Sequence, residues 1–237
     1  PRYVLTAAHV VGGVAPAAVR VQVNATATAV VIRVKAIALF PGASFPYDDL
    51  AVLELTEPVS SSVRIMPIYR SVPAPGQVIT IVGYGASARG DSAPFAQFVE
   101  PSAAVKRHGR NVLDAVQASI DGSGKKSLFY RFDFDGPTGF GALGGPSLGN
   151  AIETGLAAGD SGSPVFADID GKTWLLGINN HVTRRAGVPA TDYRFGTQAG
   201  GMLLSDPRFI AWLAEQTQRT LAVPSAGSSA AQAGEHR

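Results

Sequence analysis

Period-two alternation, repeated in short runs along the chain, constrains this sequence more than any other feature. Val19-Arg20-Val21-Gln22-Val23, Val31-Ile32-Arg33-Val34-Lys35-Ala36-Ile37 and Leu128-Phe129-Tyr130-Arg131-Phe132-Asp133-Phe134-Asp135 each put apolar side chains on one face and more polar ones on the other. Such runs read as half-buried strands. Asp48-Asp49 leads into the continuous apolar run Leu50-Ala51-Val52-Leu53, followed by Glu54-Leu55. That pattern suits a strand buried on both faces with a carboxylate at its entrance. Tyr3-Val4-Leu5, the run from Gln77 to Gly85, Val165-Phe166-Ala167, the run from Thr173 to Asn180 and Met202-Leu203-Leu204 add further strands. Val112 to Ala118 fits strand or helix, and we read it as strand. The 27 glycines and 16 prolines favour many short strands joined by turns over long helices. Helical spacing shows near the end, where Phe209, Ile210, Leu213 and Ala214 follow Pro207, with Ser205 or Asp206 as cap.

The chain falls into two sub-structures. Residues 56–76 hold Pro58, Pro67, Pro73, Pro75 and Ser60-Ser61-Ser62, and read as the crossing between them. Residues 86–101 are loop-like, and the glycine-rich stretch 136–149 is a long loop of the kind that is often functional. The Ala/Ser/Gly-rich end, from about Val223, reads as a disordered tail. Pro1 is not an initiator residue and the chain opens inside a strand pattern, so residues are expected upstream of it, including any signal peptide.

Composition narrows the function. With 237 residues, 46% apolar and 16% charged, the chain can bury a sizeable core, as one large all-β unit or two small barrels. A net charge of +2 without a dense basic run does not indicate a nucleic-acid partner. The absence of cysteine removes disulfides, zinc–thiolate sites and cysteine nucleophiles. Nothing reaches the length of an apolar transmembrane segment. No metal cluster is expected: His108 and His236 lack ligand-spaced partners, and Asp133 and Asp135 read as solvent-facing positions of an alternating strand.

Candidate chemistry centres on Gly159-Asp160-Ser161-Gly162-Ser163-Pro164. Glycines let such a loop turn tightly and bring main-chain N–H groups close to a ligand. A serine there can act as a nucleophile beside donors for an oxyanion, if a base and an acid are supplied elsewhere. Alone it is more often a plain turn before a strand. His9, after Thr6-Ala7-Ala8, is by itself more often a packed or a surface histidine than a base. The acid could be Asp48 or Asp49.

Taken together, Thr6-Ala7-Ala8-His9, Asp49-Leu50-Ala51-Val52-Leu53 and Gly159 to Pro164 run in the order His, Asp, Ser. The sequence resembles the trypsin/chymotrypsin-like serine proteases from Val4 to about Gln216. Ile65-Met66-Pro67-Ile68 is similar to the family's approach to its inter-barrel crossing, and Val82-Gly83-Tyr84-Gly85 to its glycine turn into the second barrel. Gly201 stands eleven residues before Trp212, a spacing similar to the family's. Arg107-His108-Gly109-Arg110-Asn111 and Phe132-Asp133-Phe134-Asp135 look more like bacterial members.

The resemblance implies an all-β fold of two packed antiparallel Greek-key β-barrels with a C-terminal α-helix. Residues 1–78 would form the first barrel, incomplete at its start, with the crossing. Residues 79–219 would form the second barrel and terminal helix, and 220–237 the tail. It implies a serine endopeptidase acting through an acyl-enzyme, with Ser161 as nucleophile, His9 as general base and Asp49 as its orienting acid. The N–H groups of Gly159 and Ser161 would form the oxyanion hole. Asp160 would be a structural acid paired with a cation, for which Arg107, Arg110 and Arg131 are open alternatives. Asp48 would be a capping or solvated neighbour. Substrate-binding positions would be Thr154 and Gly155 at the pocket base, Asn179, Asn180 and His181 along the pairing edge, and Gly201.

Two departures stand out. Ser163 replaces the usual glycine. No aspartate stands near Thr154 and Gly155, so a preference for Arg or Lys is not expected; nearby Glu153 could reach the pocket if the loop is one or two residues out of register, and reads more simply as a wall or surface acid. The resemblance further implies a protein or peptide substrate, no cofactor, a monomer, and a secreted, periplasmic or extracellular location. A catalytically silent homologue that binds peptides or partners, and an esterase using the same groups, are the rival readings.

Overall fold

The computed structural model describes residues 1–23, 29–91, 99–101, 104–124, 126–138, 141–183 and 193–218. The tail expected over 220–237 lies outside them. Strands dominate, every paired strand is antiparallel, and they form two sheets.

The first sheet is a four-stranded half-barrel in the order β1-β4-β3-β2, with β1 Tyr3–Thr6, β2 Arg20–Val23, β3 Val30–Leu39 and β4 Ala51–Leu55. β3 serves both neighbours: Val30 to Arg33 pair with β2, and Val34 to Leu39 with β4. β4 is buried on both faces, as its apolar run requires. Val52 faces the junction with the second sheet, while Ala51, Leu53 and Leu55 pack with Ile32, Val34, Ala8 and Val11. One helical turn, α1 Ala8–Val11, follows β1 and carries His9.

The second sheet has seven strands in the order β6-β5-β9-β10-β11-β8-β7. These are β5 Val78–Gly83, β6 Arg107–Val112, β7 Ala115–Ile120, β8 Lys126–Asp133, β9 Pro164–Ile169, β10 Lys172–Thr183 and β11 Gln198–Leu203. Its two edges are one chain segment. Leu113 N–H still bonds to Gln77 O, beside β5, whereas Asp114 N–H bonds to Arg131 O in β8. The corner at Leu113–Asp114 therefore wraps the sheet into a barrel around Ile79, Tyr130, Phe132, Val165, Leu176 and Leu203. The sequence run read as a single strand over 112–118 is this corner, with a strand on either side.

Residues 56–76 cross between the sheets without regular structure of their own. Helix α2, Pro207–Thr217, is capped by Asp206, whose carboxylate accepts Arg208 N–H at 2.9 Å. Its buried Phe209, Trp212 and Leu213 lie at helical spacing and pack onto the junction, where both rings meet Phe40 edge-on at centroid distances of 4.8 and 5.3 Å. The helix thus fastens the first sheet to the second and fixes the cleft between them.

Candidate active site

His9 is held by Asp49 through two bonds. Its main-chain N–H donates to Oδ1 at 2.8 Å, and its ring Nδ1 lies 2.6 Å from Oδ2. A carboxylate only accepts, so the Nδ1 proton points at Asp49 and Nε2 is left with a lone pair. The Asp49 side chain is 1% exposed and the His9 side chain 30%. Asp49 is fixed from behind as well: its main-chain N–H donates to Met202 Sδ at 2.9 Å, and its carbonyl accepts Ala8 N–H at 3.2 Å. The Phe45 ring stands edge-on to the imidazole at 4.9 Å.

Asp48 was expected as a capping or solvated neighbour, and the structure corrects this. It is 1% exposed and paired with Arg208 of α2 at 2.9 Å. Ser127 Oγ donates to the same Oδ1 at 2.8 Å. At φ 50° its backbone is left-handed, which turns successive carboxylates to opposite sides. The hydrogen bonds that Arg208 donates to Asp206, and then those to Asp48, raise its pKa, so its charge is permanent.

Ser161 sits on the turn between Leu156 and β9. Gly162 N–H donates to Asn179 O at 2.8 Å, and Ser163 N–H to Asp160 O at 3.0 Å. Gly162 has φ +81°, and a Cβ there would stand 2.3 Å from Thr6 Oγ1. The absence of a side chain at 162 is what lets the serine turn press against the strand that leads to His9. Ser163 replaces glycine without strain, and its hydroxyl accepts Asn179 Nδ2 at 2.8 Å. The main-chain N–H groups of Gly159 and Ser161 donate to no protein acceptor among the described residues. No hydrogen bond joins Ser161 Oγ to His9 either; in unliganded sites this contact is often long and tightens on substrate binding.

Asp160 is structural in its surroundings. Oδ1 accepts Gly85 N–H at 2.8 Å and Oδ2 accepts Ala157 N–H at 3.0 Å. Burial raises its pKa, opposed by those donors and by the charge of Arg107. Of the three arginines left open by the sequence, Arg107 is the one that acts here: its Nη1 donates to Gly85 O at 2.8 Å. Cβ atoms at Gly83 and Gly85 would lie 2.1 and 2.4 Å from the Asp160 carboxyl. That close approach explains the glycines of the Val82-Gly83-Tyr84-Gly85 turn.

A cavity of about 310 Å³ opens beside Ser161. His9, Phe45, Leu156, Ala157, Ala158, His181, Val182 and Tyr193 are among its walls. Thr154 and Gly155 lie instead around a smaller space of about 100 Å³ behind the serine loop, with Arg107, His108 and Gly109. Gly201 is a packing position on β11, where a Cβ would stand 1.9 Å from Ile178 O. Asn179 is fully buried and turned inward, accepting from Tyr130 Oη at 2.6 Å. Asn180 reaches across the cleft to Pro46 O at 2.9 Å and Asp49 Oδ2 at 3.3 Å. His181 remains at the cavity wall. A larger groove, about 620 Å³ and mostly apolar, runs past Tyr3, Met66, Ile68, Phe166, Trp174 and Leu213, and neither His9 nor Ser161 lines it.

Tyr193 and Phe45 escaped the sequence reading. Tyr193 Oη accepts Ala158 N–H at 3.1 Å, which props the loop before the serine. Neither belongs to a motif, and only tertiary placement brings them here.

The reading of Asp133 and Asp135 as solvent-facing is also corrected: they are 3% and 5% exposed. The segment after residue 140 folds over that face, with Leu143 N–H donating to Asp133 and Leu148 N–H to Glu153. Glu153 is an anchor for that loop and does not line the Ser161 cavity. No three His, Asp or Glu side chains among the described residues are arranged to hold a metal ion. No described helix is long and apolar enough to cross a membrane.

The family model described as Trypsin matches residues 1–111, a span that contains His9 and Asp49 and ends before Ser161. Over that span the chain is similar to the trypsin/chymotrypsin-like serine proteases, a family whose members act on protein substrates. No curated protein matches it.

Proposed function

We propose that this chain is a serine endopeptidase that cleaves peptide bonds through an acyl-enzyme. Ser161 Oγ attacks the scissile carbonyl while His9 Nε2 takes its proton and later delivers it to the leaving amine. Asp49 holds the Nδ1–H tautomer and stabilises the imidazolium. Gly159 and Ser161 N–H stabilise the oxyanion; one such donor is typically worth roughly 10²–10³ in turnover. Water then attacks the acyl-enzyme, with His9 again as base.

The observation that carries this reading is a convergence on one cavity. A histidine with its tautomer set by a buried carboxylate faces a serine flanked by two uncommitted N–H groups. An uncharged residue of moderate size is the preferred occupant on the acyl side, because Leu156, Ala157, Ala158 and Val182 line the space and Asp160 spends its carboxylate on Gly85 and Ala157. The enzyme works as a monomer outside the cell, on protein or peptide, without a cofactor. Cleavage of a peptide library by the wild-type chain and by Ser161→Ala tests it: activity that vanishes in the variant supports the reading, and activity confined to simple esters favours an esterase. A folded wild-type chain that binds peptides without cutting them is the silent homologue.

A further inference from the structure

Asn180 is 3% exposed, and both protons of its amide are committed. Nδ2 donates to Pro46 O at 2.9 Å and to Asp49 Oδ2 at 3.3 Å. Both partners are pure acceptors, so the nitrogen must face the first sheet and the oxygen the other way. That oxygen lies 2.6 Å from His181 Nδ1. An amide oxygen cannot donate, so His181 carries its proton on Nδ1. A flipped Asn180 would aim its oxygen at a carboxylate and a carbonyl, and would leave His181 Nδ1–H without an acceptor.

We propose that His181 is a positioning residue for the Asp49 carboxylate, acting through Asn180. The chain of donors runs from His181 Nδ1–H to Asn180 Oδ1, and from Asn180 Nδ2–H to Asp49 Oδ2, where His9 Nδ1–H also ends. Resting on the triad reading above, this gives His181 a role other than touching substrate.

The surroundings suit the task. The His181 ring packs edge-on to Phe129 at 5.7 Å, which limits its rotation. Gly200 of β11 lies against its other edge, and a Cβ there would come within 3.1 Å. The charged and titratable groups around the relay are Arg131 on β8, and Asp49 and His9 across the cleft. Burial, helped by the Arg131 charge, pushes the His181 pKa down to about 4. The ring therefore stays neutral through the range in which a His-dependent protease works, and its one N–H proton stays on Nδ1, directed at Asn180 Oδ1.

The test uses the full chain with His181→Phe, which keeps the ring and removes the donor, and His181→Asn, whose amide N–H can stand in for Nδ1–H. Loss of a hydrogen bond that holds a charged partner's donor lowers kcat of His181→Phe roughly tenfold, with KM little changed. An Asp49 that has lost a donor holds the imidazolium harder, so the acid limb of the kcat/KM profile moves to higher pH. His181→Asn restores both. A wild-type profile in His181→Phe, a change in KM alone, or failure of His181→Asn to rescue overturns the proposal. Nitrogen-15 NMR of the imidazoles gives a readout independent of turnover: the His9 titration moves upward in His181→Phe and returns in His181→Asn. If it moves while the wild-type chain cuts nothing, the relay stands and the protease reading fails. If it does not move, the relay fails whatever the activity.

Discussion

His9 and Asp49 are joined twice, main chain to Oδ1 at 2.8 Å and ring to Oδ2 at 2.6 Å, so the imidazole is fixed in both position and tautomer. Asp49→Asn presents an amide where the ring needs an acceptor. The variant is expected to fold, since the main-chain contacts to Ala8 and Met202 remain, but to lose on the order of 10³–10⁴ in kcat. Circular dichroism alongside peptide hydrolysis separates the two effects. Turnover within tenfold of wild type would mean that Asp49 does not set the tautomer.

The Asp48–Arg208 pair ties the Asp49 loop to helix α2. Removing the arginine leaves a buried carboxylate with only Ser127 for company. Arg208→Ala should cost about 2–3 kcal/mol in urea unfolding, below the full penalty for a buried pair because Arg208 is 43% exposed. Arg208→Lys recovers part of it, since a point charge cannot bond both carboxylates as the guanidinium fork does. A loss under 0.5 kcal/mol, on the scale of ordinary surface substitutions, would place the pair among weak surface bridges.

Gly85 controls the nucleophile loop at a distance. A Cβ there meets the Asp160 carboxyl at 2.4 Å, so Gly85→Ala must displace Asp160 and with it the N–H groups beside Ser161. We expect at least a tenfold fall in reaction with a serine-directed fluorophosphonate. Gly122→Ala, where a Cβ meets nothing within 4 Å, is the control and should react normally. Equal rates in the two variants would contradict the account of the loop.

Asp114 supplies a pH signature. Its pKa is pushed up to about 7, first by burial and then by the charges of Asp133, Asp135 and Glu153. The folded state holds a proton that the unfolded chain releases near pH 4. Its contribution is complete below pH 4 and is lost as pH rises through 7. Asp114→Asn keeps the neutral form, so its stability advantage should grow from pH 4 to pH 8, reaching on the order of 1–2 kcal/mol after solvent screening. His181 has the opposite sign: its contribution is lost as pH falls from 6.5 to 4. It is common to both proteins and cancels in the difference. A flat difference curve would show that Asp114 does not hold the proton.

The strands and the terminal helix were legible because their patterns are local. Alternation set the β3 and β8 faces, and Asp206-Pro207 marked the start of α2. The chain order of His9, Asp49 and Ser161 was legible for the same reason, as three short motifs. What tertiary contact decides was not. Asp133 and Asp135 obey the alternating pattern that normally faces water, yet a distant loop covers them. Thr154 and Gly155 stand at the right distance along the chain from Ser161, but the turn at Leu156 to Ala158 puts the cavity wall a few residues later. Asn180 and His181 were read as a pairing edge, while their side chains bond to each other and, through Asn180, to Asp49, contacts that only the packing of the two sheets creates.

Ser161 is proposed above as a nucleophile activated by His9. Labelling of the intact, folded chain with a fluorophosphonate, followed by mapping of the modified residue, tests it most directly. Stoichiometric labelling of Ser161 is expected, abolished in Ser161→Ala and reduced to background in His9→Ala. A folded chain that stays unlabelled, or one labelled equally in Ser161→Ala, would contradict it.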